Sequence, residues 1–151
     1  GVPLHGETVS AAQFPDLVPV MAVAMTGASG TSTITDAQRL RIKESDRLAT
    51  VCDFLTILGT DIRQTKDGLI IDKNNDRTVP SGSAAHCPAP SLCGGTVSSH
   101  NDHRIAMAAA VASCRADGPV IITGAEAVKK SYPDFFTDFT KLGGKIEILE
   151  D

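Results

Sequence analysis

A short stretch of the chain, residues 41–48 (RIKESDRL), carries five ionisable side chains. The apolar residues that follow recur at helical spacing, which predicts one amphipathic helix over residues 44–58. Glu44 and Arg47 would share a face of its first turn, and Lys43 would lie beside them at a helix N-terminus, where free N–H groups favour anions. A carboxyl group that can carry a proton would thus lie next to cations that can hold an anion. The same pattern is also typical of a solvated helix start with an ordinary salt bridge.

Comparable side chains occur at other predicted helix starts. Asp16 precedes one apolar stretch, His103 and Arg104 precede a second over residues 105–112, and Lys130 lies just before a third predicted helix. Helix N-termini with arginine and lysine nearby bind anions through both their dipole and their charge. If these helix starts face one pocket, the ligand they predict is a small molecule that carries phosphate and carboxylate groups.

Each of these residues also has a purely structural interpretation. Asp16 and Asp102 are compatible with helix caps, His103 with a buried core histidine, and Lys130 with a solvated lysine. Arg104 is harder to explain in this way. A charge at the start of a wholly apolar helix would be stranded unless an anion met it.

The composition limits the class of protein. A chain of 151 residues with 42% hydrophobic content fits one domain with a core, and a net charge of −4 argues against a nucleic-acid or membrane partner. The longest apolar run, residues 17–25, is too short to cross a bilayer, which predicts a soluble protein. No cysteine spacing resembles a disulfide framework, which predicts reduced thiols and a cytoplasmic location, and Cys87 and Cys93 are poorly spaced for zinc.

The predicted elements form a repeat in an α/β (α+β) fold. A first unit over residues 1–73 reads β-α-β-α-β-β: a strand over 4–12, a helix over 16–28, a strand over 31–35, the helix over 44–58, and a hairpin over 61–72 with Gly68 at its positive-φ position. After a long loop over 74–95, a second unit over 96–151 repeats the order but stops one strand early: a strand over 96–99, a helix capped by Asp102 or Asn101, a strand over 120–123, a helix over 133–142 and a strand over 145–149. The first helix of each unit is apolar on every side, which predicts burial all round.

Four segments, taken in order, resemble motifs of the 5-enolpyruvylshikimate-3-phosphate (EPSP) synthase family, whose members join phosphoenolpyruvate to shikimate 3-phosphate in aromatic amino-acid biosynthesis. The segments are Phe14-Pro15-Asp16-Leu17-Val18-Pro19, Lys43-Glu44-Ser45-Asp46-Arg47-Leu48, Asn101-Asp102-His103-Arg104-Ile105-Ala106-Met107 and Lys130-Ser131-Tyr132-Pro133-Asp134-Phe135-Phe136. Motif 43–48 differs from that of the related transferase that acts on UDP-N-acetylglucosamine, which disfavours that relative.

The resemblance implies a role for each candidate residue. Asp16 would bind shikimate 3-phosphate and take the proton from its 5-hydroxyl, and Glu44 would protonate the methylene carbon of phosphoenolpyruvate. The remaining roles are Lys43 and Arg39 for shikimate 3-phosphate, Arg47, Arg104 and Lys130 for phosphoenolpyruvate, and His103 in support. Many members carry Asn or Gln where this chain has Arg39, so Gln38 is an alternative for that position. No metal or organic cofactor is implied.

The resemblance covers only about the last third of such an enzyme, which has two domains of three repeat units each. The partner it implies is the missing N-terminal part of the same enzyme. We therefore expect the isolated chain to fold without catalysing, since half the pocket and the closing motion are absent. The alternative is a non-catalytic anion-binding or interaction module of the same fold.

Overall fold

The first unit is built on a four-stranded mixed sheet. The computed structural model describes residues 3–73 and 92–149. Strands β1 (Thr8–Ser10), β2 (Gly30–Thr35), β3 (Asp61–Gln64) and β4 (Leu69–Lys73) lie in the order β1-β2-β4-β3. β1 is parallel to β2, whereas β4 is antiparallel to both of its neighbours. The sequence of elements predicted for this unit is confirmed, although β1 is shorter than predicted.

Two helices complete the first unit, and both begin later than predicted. Helix α1 (Val18–Met25) follows a 3₁₀ turn at Pro15–Leu17, so Asp16 lies in that turn and its side chain does not cap the helix. Helix α2 (Arg47–Ile57) is capped by Asp46, whose side chain accepts a hydrogen bond from the backbone N–H of Ala49 at 3.1 Å. Residues 44–46 therefore precede the helix, because an aspartate that can cap it defines where it starts.

Gly68 has a different role from the one predicted. The hairpin joins β3 to β4 as expected, but Gly68 is absent from the glycines with positive φ. A Cβ at this position would overlap the carbonyl oxygen of Ile34 on the neighbouring strand. The position requires glycine because two backbones approach closely, and not because of the turn angle.

The second unit starts in the same way but ends differently. Strands β5 (Gly95–Ser98) and β6 (Val120–Thr123) pair in parallel, with α3 (His103–Ser113) between them in the chain and capped by Asp102. After a 3₁₀ turn at Ala125–Lys130, α4 (Phe135–Lys141) buries no residue. The predicted strand at 145–149 is wrong, since this segment forms no regular structure and is exposed. The predicted loop over 74–95 lies outside the described residues up to position 91.

One hydrophobic core spans both units. Helices α1, α2 and α3 pack against each other and against the sheets, with core residues that include Val23, Ile34, Leu48, Val51, Leu55, Leu69, Val97, Ile105 and Ala109. The prediction that α1 and α3 are buried all round is wrong on one side of each helix. Val20 and Ala24 on α1 and Val111 on α3 are exposed, because they line an open groove between the two helices.

The oxidation state of the cysteines differs from the prediction at one position. Cys52 and Cys114 are free thiols, whereas Cys93 is disulfide-bonded, so the expectation of reduced cysteines is wrong for Cys93. Spacing along the sequence gave no sign of this bond, which depends on the three-dimensional approach of two thiols. Within residues 3–73 and 92–149, no helix is long and apolar enough to cross a bilayer, and no cluster of potential metal ligands occurs.

Candidate functional site

The guanidinium group of Arg47 lies at the centre of the site. Its side chain is only 2% exposed, and it contacts three carboxylates from three segments of the chain. Nη1 donates to Asp16 at 2.8 Å, Nη2 to Glu44 at 2.7 Å, and Nε to Asp102 at 2.7 Å. Burial by itself lowers the pKa of Arg47, but these carboxylates, with Asp102 foremost, raise it overall. The first residue of α2 therefore stays charged and joins the two units.

Asp102 is the fully buried partner in this cluster. It is 0% exposed, and its carboxylate accepts from Arg47 Nε, from Arg47 Nη2 at 3.2 Å, from the Ser45 hydroxyl at 3.1 Å and from the backbone N–H of Arg104 at 2.9 Å. Burial raises the pKa of Asp102, but the hydrogen bonds and the charge of Arg47 lower it overall. The sequence predicts only a helix cap at this position. Its position before an apolar helix is the signal that predicts the cap. Its contact with Arg47 could not be predicted in this way, because the two residues are 55 positions apart in the sequence.

A constrained turn places Asp102 against Arg47. His100 and Asn101 both have positive φ, 49° and 58°, a conformation that costs energy for residues other than glycine. The buried Ser99 hydroxyl donates to the carbonyl of Gly124 at 2.8 Å and accepts from the N–H of Asn101 at 3.1 Å, which holds the turn in place. Lys130 Nζ donates to the carbonyl of Asn101 at 2.5 Å. The structure thus brings Lys130 to this turn and not into contact with Arg47.

Asp16 lies among three cations. Besides Arg47, its carboxylate is 3.7 Å from Lys43 Nζ and 3.8 Å from Arg104 Nη2. Partial burial raises the pKa of Asp16, but Lys43, Arg47 and Arg104 outweigh this effect and lower it overall. The side chain is therefore ionised at neutral pH and is able to accept a proton.

Glu44 and His103 face each other at the other side of Arg47. Glu44 Oε1 is 3.8 Å from Nδ1 of His103, which is too long for a hydrogen bond. Nδ1 of His103 and Nε of Arg104 are both buried, and neither has a hydrogen-bond partner among the described residues. Buried polar atoms are normally satisfied, so these two atoms beside a cluster of charges have hydrogen-bonding capacity that the described chain does not use.

The structure does not bring every candidate into this cluster. Arg39 is exposed on the 3₁₀ turn Gln38–Ile42, and its side chain makes no ion pair or hydrogen bond within the described part of the chain. Arg41 points to the hairpin instead, where it pairs with Asp46 at 2.8 Å and donates to the carbonyl of Thr65 at 2.6 Å. The charged stretch 41–48 is therefore divided between a structural pair, Arg41 with Asp46, and the cluster around Arg47.

The chain is similar in sequence to proteins of one family. Residues 1–139 match the family model described as EPSP synthase (3-phosphoshikimate 1-carboxyvinyltransferase). The chain is 47% identical to the 3-phosphoshikimate 1-carboxyvinyltransferase of Clostridium novyi (strain NT) over 143 residues, which is 95% of this chain and 29% of that protein. It is 43% identical to the enzyme of the same name from Methanocella arvoryzae over 145 residues, 96% of this chain and 31% of that protein.

Solved structures agree with the sequence relatives. An EPSP synthase from Acinetobacter baumannii superimposes with a TM-score of 0.80 at 34% identity, over 98% of this chain and 32% of that one. The enolpyruvyl transferase NikO from Streptomyces tendae, at 22% identity and a TM-score of 0.70, shares the fold over 96% of this chain and 29% of its own. The chain thus spans about 30% of the length of these relatives. It belongs to the EPSP synthase (3-phosphoshikimate 1-carboxyvinyltransferase) family.

Proposed function

We propose that this chain supplies part of the active site of a larger cytoplasmic synthase that transfers the enolpyruvyl group of phosphoenolpyruvate to the 5-hydroxyl of shikimate 3-phosphate, with release of phosphate. One observation carries the proposal: the helix starts of both units converge on Arg47, which contacts the two carboxylates expected to move protons. These residues also lie in the segments that resemble the family's motifs.

The anion site in this proposal is formed by arginine and lysine side chains around the cluster. Arg47 and Arg104 both approach Asp16, and Lys130 lies at the turn that precedes α3. The guanidinium groups suit the phosphate and carboxylate of phosphoenolpyruvate, because their N–H groups bind such oxygens in pairs. The Arg104 side chain is 36% exposed, which leaves its outer part open to an anion. Lys43 would contact shikimate 3-phosphate, and the exposed Arg39 would reach it from the neighbouring turn.

The two carboxylates would divide the proton transfers. Asp16 would take the proton of the 5-hydroxyl while the hydroxyl oxygen bonds to C2 of phosphoenolpyruvate and Glu44 adds a proton to the methylene carbon. The bond from C2 to the phosphate oxygen would then break as phosphate leaves, and the Glu44 carboxylate, which gave up its proton in the first step, would take a proton from the new methyl group, so that the double bond is restored. The lowered pKa of Asp16 keeps its carboxylate ionised and so free to accept a proton, but it also weakens the carboxylate as a base, so the role rests on the position of Asp16 among the cations. A substrate anion that binds Arg47 would release Glu44 from that ion pair.

The proposal also holds that the isolated chain is inactive. It spans 29% of the relative from Clostridium novyi, so most of such an enzyme lies outside it. Asp16 and Glu44 are both about half exposed here, and a site that is to exclude water needs further protein over them. The partner we propose for this face is the remaining N-terminal part of the parent enzyme.

The test is an amide NMR titration of the chain with phosphoenolpyruvate and shikimate 3-phosphate, followed by an assay for phosphate release. We expect shifts at Asp16, Lys43 to Arg47, His103, Arg104 and Lys130, and no phosphate release. Arg104→Gln should weaken phosphoenolpyruvate binding about tenfold. Arg63→Gln is the matched control, since Arg63 pairs with Asp72 on the sheet. Turnover would contradict the proposed inactivity, and a lack of shifts at millimolar ligand would contradict the anion site.

A further inference from the structure

The guanidinium group of Arg47 has two edges with different surroundings. Its Nε and Nη2 atoms contact the two oxygens of Asp102 at 2.7 and 3.2 Å, in a bidentate pair that is closed to solvent. Its outer edge, Nη1 and Nη2, contacts Asp16 and Glu44, whose side chains are 46% and 40% exposed. The inner edge is therefore held by a buried partner, whereas the outer edge is covered only by two partly exposed carboxylates, which an anion would have to displace.

We propose that Asp102 is a positioning residue, which holds the guanidinium of Arg47 by its inner edge so that the outer edge faces the anion site. The inference rests on the proposed function for the identity of the anion. The Ser45 hydroxyl donates to the same carboxylate at 3.1 Å, which fixes the orientation of Asp102 in turn. Three donors from Arg47 and Ser45 thus hold one buried carboxylate in a single geometry.

Asp102 also relates the two arginines to each other. Its Oδ1 atom accepts from the backbone N–H of Arg104 at 2.9 Å, and the same oxygen is 3.2 Å from Nη2 of Arg47. The Asp102 carboxylate therefore fixes the position of Arg47 relative to Arg104. An anion that binds both arginines needs them at a fixed distance and orientation, and this shared contact maintains both.

The two possible roles of Asp102, positioning and purely electrostatic, predict opposite changes in anion affinity when its charge is removed. Removing a negative charge beside Arg47 would make the site more positive and would strengthen anion binding. Loss of a positioning contact would weaken binding, because the freed guanidinium must be ordered again when the anion binds. The sign of the change in affinity distinguishes the two roles.

The decisive variant is Asp102→Asn in the full chain, with phosphoenolpyruvate as the probe in isothermal titration calorimetry. Asparagine keeps the shape and the capping oxygen for Arg104 N–H but loses the charge that holds Arg47. We expect binding to weaken at least about tenfold. Asp46→Asn is the matched control and should change the affinity less than about twofold, since Asp46 also caps a helix and pairs with an arginine, Arg41, while its side chain contacts none of the described charged groups around Arg47.

A second readout follows the Nε–H group of Arg47 by nitrogen-15 NMR. We expect slow solvent exchange in the wild type and in Asp46→Asn, and fast exchange in Asp102→Asn. Unchanged or tighter binding by Asp102→Asn, or retained protection of Nε–H, would overturn the positioning role. If the wild type binds no phosphoenolpyruvate, the proposed function fails, and the exchange of Nε–H alone decides the role of Asp102.

A third variant covers the case in which Asp102→Asn does not fold. Ser45→Ala removes one hydrogen bond from the Asp102 carboxylate and leaves every charge in place. We expect binding to weaken about threefold, which is less than the full worth of a hydrogen bond to a charged group, because Ser45 acts on Arg47 only through the Asp102 carboxylate. Unchanged binding by a folded Ser45→Ala, together with unchanged exchange of Arg47 Nε–H, would then overturn the proposal.

Discussion

The two units begin with the same β-α-β arrangement and end differently. In the first, β2 pairs on both edges, with β1 and with β4, and α2 packs on the completed sheet. In the second, β6 pairs with β5 only within the described residues, and α4 buries no side chain. Leu58 and Leu142 occupy equivalent positions after these helices, yet Leu58 is 0% exposed and Leu142 is 89% exposed. The same local sequence signal therefore yields a core position only where a sheet covers it.

Replacing the two equivalent leucines gives the largest expected contrast. Leu58→Ala should reduce the free energy of unfolding by about 4 kcal/mol, because it removes a fully buried side chain and leaves a cavity. Leu142→Ala should change it by less than about 0.5 kcal/mol, because its side chain is already in solvent. Urea unfolding followed by circular dichroism measures both values. Equal losses for the two variants would show that α4 packs in solution as α2 does.

Much of the fold could be predicted because it depends on local patterns. The order of strands and helices follows from hydrophobic periodicity, and the end of α2 at Gly59 follows from a positive φ of 83°. The errors have tertiary causes. The role of Gly68 depends on Ile34 of another strand, and the failure of a strand to form at 145–149 depends on having no neighbour to pair with in the described structure. A local window of sequence shows neither the strand that approaches Gly68 nor the lack of a pairing strand beside 145–149.

The candidate site divides in the same way. Asp16, Glu44 and Arg47 could be predicted to lie together because unusual charges at helix starts are a local signal. The partnership of Arg47 with Asp102 could not be predicted, because it depends on how the two units dock. The exposed position of Arg39 likewise depends on the 3₁₀ turn that carries it. Local sequence patterns thus predict which residues belong to the site, whereas contacts between the two units determine how those residues are arranged.

The dependence of stability on acid pH should distinguish the buried pair Arg47–Asp102, which joins the two units, from the exposed pair Asp138–Lys141 on α4. The pKa values of Asp102 and Asp138 are both lowered in the folded chain, the first against the effect of its own burial and mainly by Arg47, the second mainly by Lys141. A carboxylate of this kind contributes stability that is complete above its unfolded pKa and is lost as the pH falls through its folded pKa. The window for both residues therefore lies below about pH 4.

The two carboxylates should differ in how much of this stability they carry. Asp102→Asn should lower the free energy of unfolding by about 3 kcal/mol at pH 7, since it leaves the buried Arg47 without its main partner. The gap to the wild type should narrow as the pH falls below about 4. Asp138→Asn should leave the pH profile nearly unchanged, because water screens its exposed pair with Lys141. Parallel profiles for the wild type and Asp102→Asn would contradict the role of this pair in joining the units.

The smallest expected contrast concerns the glycines that follow α2 and α4. Gly59 and Gly143 are equivalent in the repeat and both have positive φ, 83° and 101°. Alanine in this conformation costs about 1 kcal/mol, so Gly59→Ala should lose about that amount of stability. Gly143→Ala carries the same local strain, but α4 buries nothing and its last turn is free to unwind. We therefore expect no measurable change in the urea midpoint, together with faster amide exchange at residues 139–142. An equal shift of the midpoint in both variants would show that α4 unfolds with the core, and the difference between the two units would then be one of exposure and not of stability.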